Sequence, residues 1–376
     1  MKIKAEKKVL LKALSRIQGI VEKTSIKPIT ANVLIEASQS EISVSATNLQ
    51  IGMTATYSEV NVIETGTLSI NARKLYEIIK ELPEQEILLE EKDNYRIDIT
   101  CGEDVCFKII GLPPEDFPMF VKEDYDSFIL WDIEKFLRMI DLTSFSISRD
   151  ETKLNISGAY IENTEQESVR IVTTDGYRIS IVDEFFDNKL SIEEGFIIPS
   201  KGILELHKIL HEKKEVENIA ILIKKNNLIV RAGEVQLFVR LIEKKFPDYK
   251  VILPEEGYKN ISVRIPKEQI RPSIKRMSII SSENNRPVVF SFKENIITIF
   301  TEDNELGSVN EQIKIEEKVI EEFNFCINGM YLLEVLNAVE DDVMIEYNME
   351  EENKPILVKP CNRKNIIYII MPMIMN

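Results

Sequence analysis

The feature that most constrains this chain is a threefold internal repeat, because copies of one supersecondary unit must fold alike and bury equivalent faces. TLSINARKLYEIIKEL (67–82), GFIIPSKGILELHKIL (195–210) and NFCINGMYLLEVLNAV (324–339) align without gaps at spacings of 128 and 129 residues. Each reads as a short apolar strand running into a helix. Ile70, Ile198 and Ile327 end the strands. Asn71 and Asn328 are good helix N-caps, and Pro199 with Ser200 can serve the same turn. Leu75/Ile203/Leu332, Ile78/Leu206/Val335 and Leu82/Leu210/Val339 recur at helical spacing on one apolar face. Glu77, Glu205 and Glu334 share one position.

The repeat extends upstream. SVSATNLQIGM (43–53), RIVTTDGYRIS (170–180) and TIFTEDNELGS (298–308) align at spacings of 127 and 128, each a strand, a polar turn and a strand. Downstream, Phe117-Pro118 and Phe246-Pro247 lie 129 residues apart, whereas the third copy stops at IIMPMIMN. Helical patterns at 6–21, 132–148 and 266–281 open the three units. The expectation is an α+β fold of three repeated domains, 1–123, 124–256 and 257–376, each with two helices packed on antiparallel sheet.

Composition narrows the function. A net charge of −16 argues against tight static binding of nucleic acid through overall electrostatics, but leaves room for a local basic strip. The first helix places Lys8, Lys12 and Arg16 in one stripe away from its apolar face. The opening helix of the third unit offers Lys267, Arg271 and Lys275, with Arg276 beside them, and that of the second offers Lys135 and Arg138. Arg73, Lys74, Lys80, Lys201 and Lys208 add charge on later helices, and residues 328–339 add none. Such stripes suit any solvated helix; on one common concave surface they become a non-specific guide for phosphates. Pro272 should start or kink its helix, since it removes a backbone hydrogen bond.

Catalytic signatures are missing. There is no phosphate-binding loop and no dinucleotide fingerprint. His207 and His211 are four residues apart but lack a third ligand, and Glu350, Glu351 and Glu352 read as a solvated turn. Thr174-Asp175-Gly176 has counterparts in the other copies and reads as a structural turn. No catalytic residue, metal or cofactor is expected. Cys101, Cys106, Cys326 and Cys361 have neither metal nor redox spacing. Lys12 interrupts any leader-like run, and residues 366–375 are too short to span a bilayer, so a reduced, cytoplasmic chain with no membrane association is expected.

TDGYRIS (174–180), FPDY with LP (246–254), SSENNR (281–286), LLEVLNA (332–338), the late MPM (371–373) and the early NVLIE and TNL together resemble the β subunits of bacterial DNA polymerase III, the sliding-clamp family. The resemblance covers essentially the whole chain in order. It implies a non-enzymatic processivity factor: three clamp domains form half of a closed ring, and a head-to-tail homodimer encircles duplex DNA without sequence specificity. It also implies partners (DNA polymerases, the clamp loader and repair proteins) that insert short apolar peptides into a pocket. The matching positions are Thr174, Gly176, Tyr177, Arg178, Ile179, Pro247, Ile252, Ile369, Met371, Pro372 and Met373. DNA-facing positions would be Lys8, Lys12, Arg16, Lys23, Arg73, Arg138, Arg149, Lys153, Lys201, Lys267, Arg271 and Lys275. The dimer interface would use Phe107 and Ile109 against Ile279 and Ile280 of the other copy. Two departures stand out: Ile374-Met375-Asn376 where the family often carries a basic residue, and Leu154-Asn155 where it often has aromatics or Pro. The competing readings are a repeat-built interaction scaffold without DNA encirclement and a hydrolase with an unrecognised acidic site.

Overall fold

A computed structural model describes the chain except residues 22–26, 119–127, 189–191, 193, 214, 254–259, 282–285, 349–353 and 375–376. The described α-helices are α1 (Lys7–Ile17), α2 (Ala72–Glu81), α3 (Ile133–Asp141), α4 (Ser200–Glu212), α5 (Lys267–Ile280) and α6 (Gly329–Ala338). No described helix is long and apolar enough to cross a membrane. The chain divides into two compact units, Met1–Glu134 with Leu204–Leu241, and Lys135–Ile203 with Ile242–Asn376.

In the first unit, an antiparallel five-stranded sheet runs Val60–Glu64, Lys2–Glu6, Glu86–Lys92, Arg96–Cys101, Val105–Ile110. Its eight-stranded sheet runs Ile129–Asp132, Asn218–Lys224, Asn227–Ala232, Val235–Arg240, Ile51–Tyr57, Ile42–Thr47, Asn32–Ala37, Gly66–Asn71. Helix α1 buries Val9, Leu10, Ala13, Leu14 and Ile17, the face its periodicity marks. Helix α2 is capped as its sequence suggests, with the Asn71 side chain accepting from Lys74 N at 2.9 Å. On α2 the buried positions are Ala72, Leu75 and Ile79, while Ile78 is only half-buried.

The second unit repeats the plan. Its eight-stranded sheet runs Phe196–Pro199, Gly158–Asn163, Val169–Thr174, Arg178–Glu184, Ile366–Ile370, Ile356–Pro360, Val343–Asn348, Asn260–Ile265, and its four-stranded sheet runs Gly307–Lys314, Ile296–Asp303, Pro287–Lys293, Phe323–Asn328. Asn328 caps α6, accepting from Met330 N at 3.0 Å. Pro272 lies inside α5, which neither starts nor ends there.

The three copies are joined through their sheets. Val235–Arg240, from the second copy, pairs with Ile51–Tyr57 of the first, setting Leu237 opposite Met53 and Phe238 opposite Gly52. Ile366–Ile370, from the third, pairs with Arg178–Glu184 of the second, setting Tyr368 opposite Ser180 and Ile369 opposite Ile179. Main-chain hydrogen bonds thus run across the expected boundaries near 123 and 257, and each eight-stranded sheet belongs to two copies.

The copies also differ in register from the simple charge alignment. Lys7 Nζ donates to Leu82 O at 2.6 Å, and Lys267 Nζ donates to Val339 O at 2.6 Å. Leu82 and Val339 are equivalent, and each lysine binds a free carbonyl at a helix C-terminus. Lys267 is therefore the counterpart of the buried Lys7 and not of the exposed Lys8. The basic stripes of α1 and α5 are offset by one residue, about 100° around the helix.

Candidate functional site: an apolar groove, basic helix faces and free sheet edges

The groove in the second unit starts from the turn at 174–178. Thr174 Oγ1 donates to Arg178 O at 2.6 Å and accepts from Gly176 N at 3.0 Å, while Asp175 Oδ1 accepts from Tyr177 N at 2.9 Å. Gly176 has φ +97°, a backbone state that disfavours any side chain. Met371 N donates to Tyr177 O at 2.9 Å and Met373 N to Cys326 O at 2.7 Å, so the Met-Pro-Met segment is held on both sides. Beneath it lies a buried apolar cluster that includes Val172, Ile179, Ile181, Phe246, Tyr249 and Ile369. Above it Tyr177 is 62% exposed, Ile252 38%, Met371 37% and Ile374 85%. Pro247 is exposed, and Pro372 and Met373 are half-buried. A buried aliphatic floor under an exposed apolar rim suits capture of an apolar side chain.

Arg178 behaves differently from a free polar edge. It is 7% exposed. Its Nε pairs with Asp175 at 3.0 Å, Nη1 with Glu334, and Nη2 donates to Phe145 O at 2.6 Å. The guanidinium lies 4.3 Å from the Tyr331 ring centroid. It braces the turn from below. A second brace holds the floor: Tyr249 donates to Glu162 and accepts from Arg170, which grips Asp183 through two contacts of 2.7 Å. Burial, the largest influence, pushes the Tyr249 hydroxyl pKa up, so the group stays a donor. Sequence reading named neither Phe145, Tyr331 and Glu334 nor Glu162 and Arg170 as site residues. The shared Glu position was a signal for Glu334, since Glu77 instead meets Arg73 and Lys74, and Glu205 meets Lys208.

The basic residues separate into two groups. Lys12, Arg149, Lys153, Lys201 and Lys275 are exposed. Lys8, 72% exposed, pairs with Glu6 at 2.8 Å, and Arg73 pairs with Glu77 at 3.1 Å. Arg138 pairs with Glu184 at 2.6 Å, and Arg271 is 3.8 Å from Glu268. Two expectations need correction. The Arg16 side chain is only 5% exposed and is bonded to Glu212, Glu234 and Tyr57, so its charge is neutralised inside the unit. Lys267 is likewise occupied by helix carbonyls. Lys23 lies outside the described residues.

Phe107 (40% exposed) and half-buried Ile109 sit on Val105–Ile110, the edge strand of the five-stranded sheet. Ile279 (73% exposed) and half-buried Ile280 end α5. The neighbouring four-stranded sheet has its own edge at Gly307–Lys314.

Three family models match in succession: the N-terminal domain of the DNA polymerase III beta subunit at residues 1–121, its central domain at 132–248 and its C-terminal domain at 250–374. The beta sliding clamp of Rickettsia felis is 28% identical, with 99% of each chain covered, and that of Caulobacter vibrioides is 27% identical, with 99% of this chain and 100% of that one covered. Among solved structures, a C. crescentus beta sliding clamp with PEG bound to a putative beta-motif tethering region matches with TM-score 0.91 and 26% identity, each chain fully covered. A sliding clamp from Bartonella birtlesii bound to griselimycin matches with TM-score 0.92 and 26% identity, again over both whole chains. With nearly every residue inside one of three consecutive matches, the chain belongs to the DNA polymerase III beta subunit family, the beta sliding clamps.

Proposed function

We propose that two copies of this chain close head to tail around duplex DNA and tether polymerases, the clamp loader and repair enzymes through the groove of the second unit. The chain then acts as a cytoplasmic, non-enzymatic processivity factor with clamp domains at 1–123, 124–256 and 257–376. Retention is topological, so a net charge of −16 is compatible with sliding, and exposed Lys12, Arg149, Lys153, Lys201 and Lys275 supply weak phosphate contacts.

One observation carries the ring. Within the chain, the last strand of the second copy docks on the first, and the last strand of the third docks on the second. By the same rule Val105–Ile110 of the first copy should dock on Gly307–Lys314, and each of these strands is a sheet edge. The pairing is heterologous and closes by rotation. Its register follows: Leu237 faces Met53 and Tyr368 faces Ser180, and the hairpin registers make Phe107 and Val309 the counterparts, so Phe107 faces the second copy's Val309 and Lys108 its Ser308. Directly opposed Cβ atoms lie about 5 Å apart, within disulfide reach. In a Cys106→Ser background, Lys108→Cys with Ser308→Cys should cross-link into a closed covalent dimer that stays on nicked circular DNA and slides off linear DNA. Failure to cross-link, or equal retention on both DNAs, would count against the ring.

A further inference from the structure

A cleft of about 380 Å³ opens on the eight-stranded sheet of the first unit, beside Phe117-Pro118. These residues are the repeat counterparts of Phe246-Pro247, which flank the groove in the second unit. Strand register makes the correspondence residue by residue. The floor row Val172–Ile181–Ile367 of the groove is set by direct pairing across three strands. The matching row in the first unit is Ser45–Thr54–Gln236, paired the same way, and Phe238 replaces Ile369. The two sites share a frame, but an aliphatic floor has become a hydroxyl and amide floor.

That exchange changes the ligand. An apolar anchor laid on this row would strand polar groups away from water, at about 1–3 kcal/mol each. Ser45 Oγ and Thr54 Oγ1 bond each other at 2.9 Å, and Gln236 Oε1 accepts from Arg231 Nε at 3.0 Å, which leaves the Gln236 NH2 as a donor. Glu36 and Glu41 also line the cleft, and no Lys, Arg or His does. Among the described residues neither carboxylate has a cationic partner. Phe117 and Phe238 supply aromatic wall. Carboxylates, hydroxyls and aromatic rings without a cation form the complement of a planar guanidinium.

We propose that this cleft is a second partner site and that it takes an arginine side chain of a partner peptide. It rests on the reading that the second-unit groove binds partner peptides, because the shared frame supplies the argument for a peptide. The probe is the tripeptide acetyl-Gly-Arg-Gly-amide, with its isosteric, uncharged citrulline analogue as control, followed by saturation-transfer NMR on the full-length protein. The arginine peptide should bind and the citrulline peptide should bind at least fivefold more weakly. Glu36→Gln with Glu41→Gln should weaken the arginine peptide at least fivefold and leave binding of an apolar clamp-type peptide unchanged; Met371→Ala should do the reverse. Equal binding of both tripeptides, or indifference to the double Glu→Gln change, overturns the arginine cleft. Loss of arginine-peptide binding in Met371→Ala overturns it too, by moving the probe to the groove. If the apolar peptide ignores Met371→Ala while the arginine peptide responds to Glu36 and Glu41, the cleft stands and the reading of the groove falls.

Discussion

Replacing Arg16 with Met tests whether this residue is a DNA contact or an internal brace. In the structure its guanidinium is nearly fully buried, with Nε 3.2 Å from Glu212, Nη1 3.3 Å from Glu234 and 3.2 Å from the Tyr57 hydroxyl. Removing one partner of a buried ion pair typically costs about 3–5 kcal/mol, because the other charge stays buried. Two features reduce that here. The Glu212 side chain is 44% exposed and can rehydrate, and Glu234 keeps Lys213 at 2.7 Å. The expected loss is therefore about 2 kcal/mol. The single Trp of the chain, Trp131, is 1% exposed on Ile129–Asp132 in the same unit, so its fluorescence reports that unit's unfolding. With a urea slope of about 2 kcal/mol/M, the midpoint should fall by about 1 M. Retention on circular DNA should keep its salt dependence, whereas Lys12→Ala should lower the slope of log K against log salt by about 0.9 and leave the urea midpoint in place. An unmoved midpoint together with a lower salt slope for Arg16→Met would refute the brace.

Three further outcomes can be checked. Deleting residues 371–376 should abolish binding of an apolar partner peptide in a fluorescence-polarisation assay while the dimer persists in sedimentation; unchanged affinity would refute the groove. Ile109→Asp should place a charge on the edge proposed to pair between copies and convert the dimer to monomer at micromolar concentration, with Trp131 fluorescence unchanged. Acid should weaken the first unit through Glu234. Its burial, the largest influence, raises its pKa, but the Lys213 hydrogen bonds and the Arg16 contact outweigh this and hold it at about 2. Because the folded pKa is depressed, the contribution is present above the ordinary carboxylate range and is lost as pH falls from about 4.5 towards 2, and screening at this partly exposed site limits it to about 1 kcal/mol. Urea midpoints at pH 5 and pH 3 should differ less in Glu234→Gln than in the parent.

The sequence by itself determined the repeat, the helix starts at Asn71 and Asn328, the apolar face of α1 and the turn at Gly176. Each depends on a period of two or 3.6 or on one residue's backbone preference, and such information is local. It also pointed to the Met-Pro-Met segment, through the family resemblance. The tertiary structure decided what sits opposite what. Leu237 meets Met53, and Tyr368 meets Ser180, across separations of well over a hundred residues, for which no local pattern exists. That pairing made sheets that ignore the expected domain boundaries. It also turned Arg16, Arg178 and Lys267 inward: a charge on a helix or turn reads as surface until a carboxylate or a helix carbonyl is brought to it. The repeat predicts equivalent frames; packing between copies decides which floor is aliphatic, which is polar and which basic side chains are left for a partner.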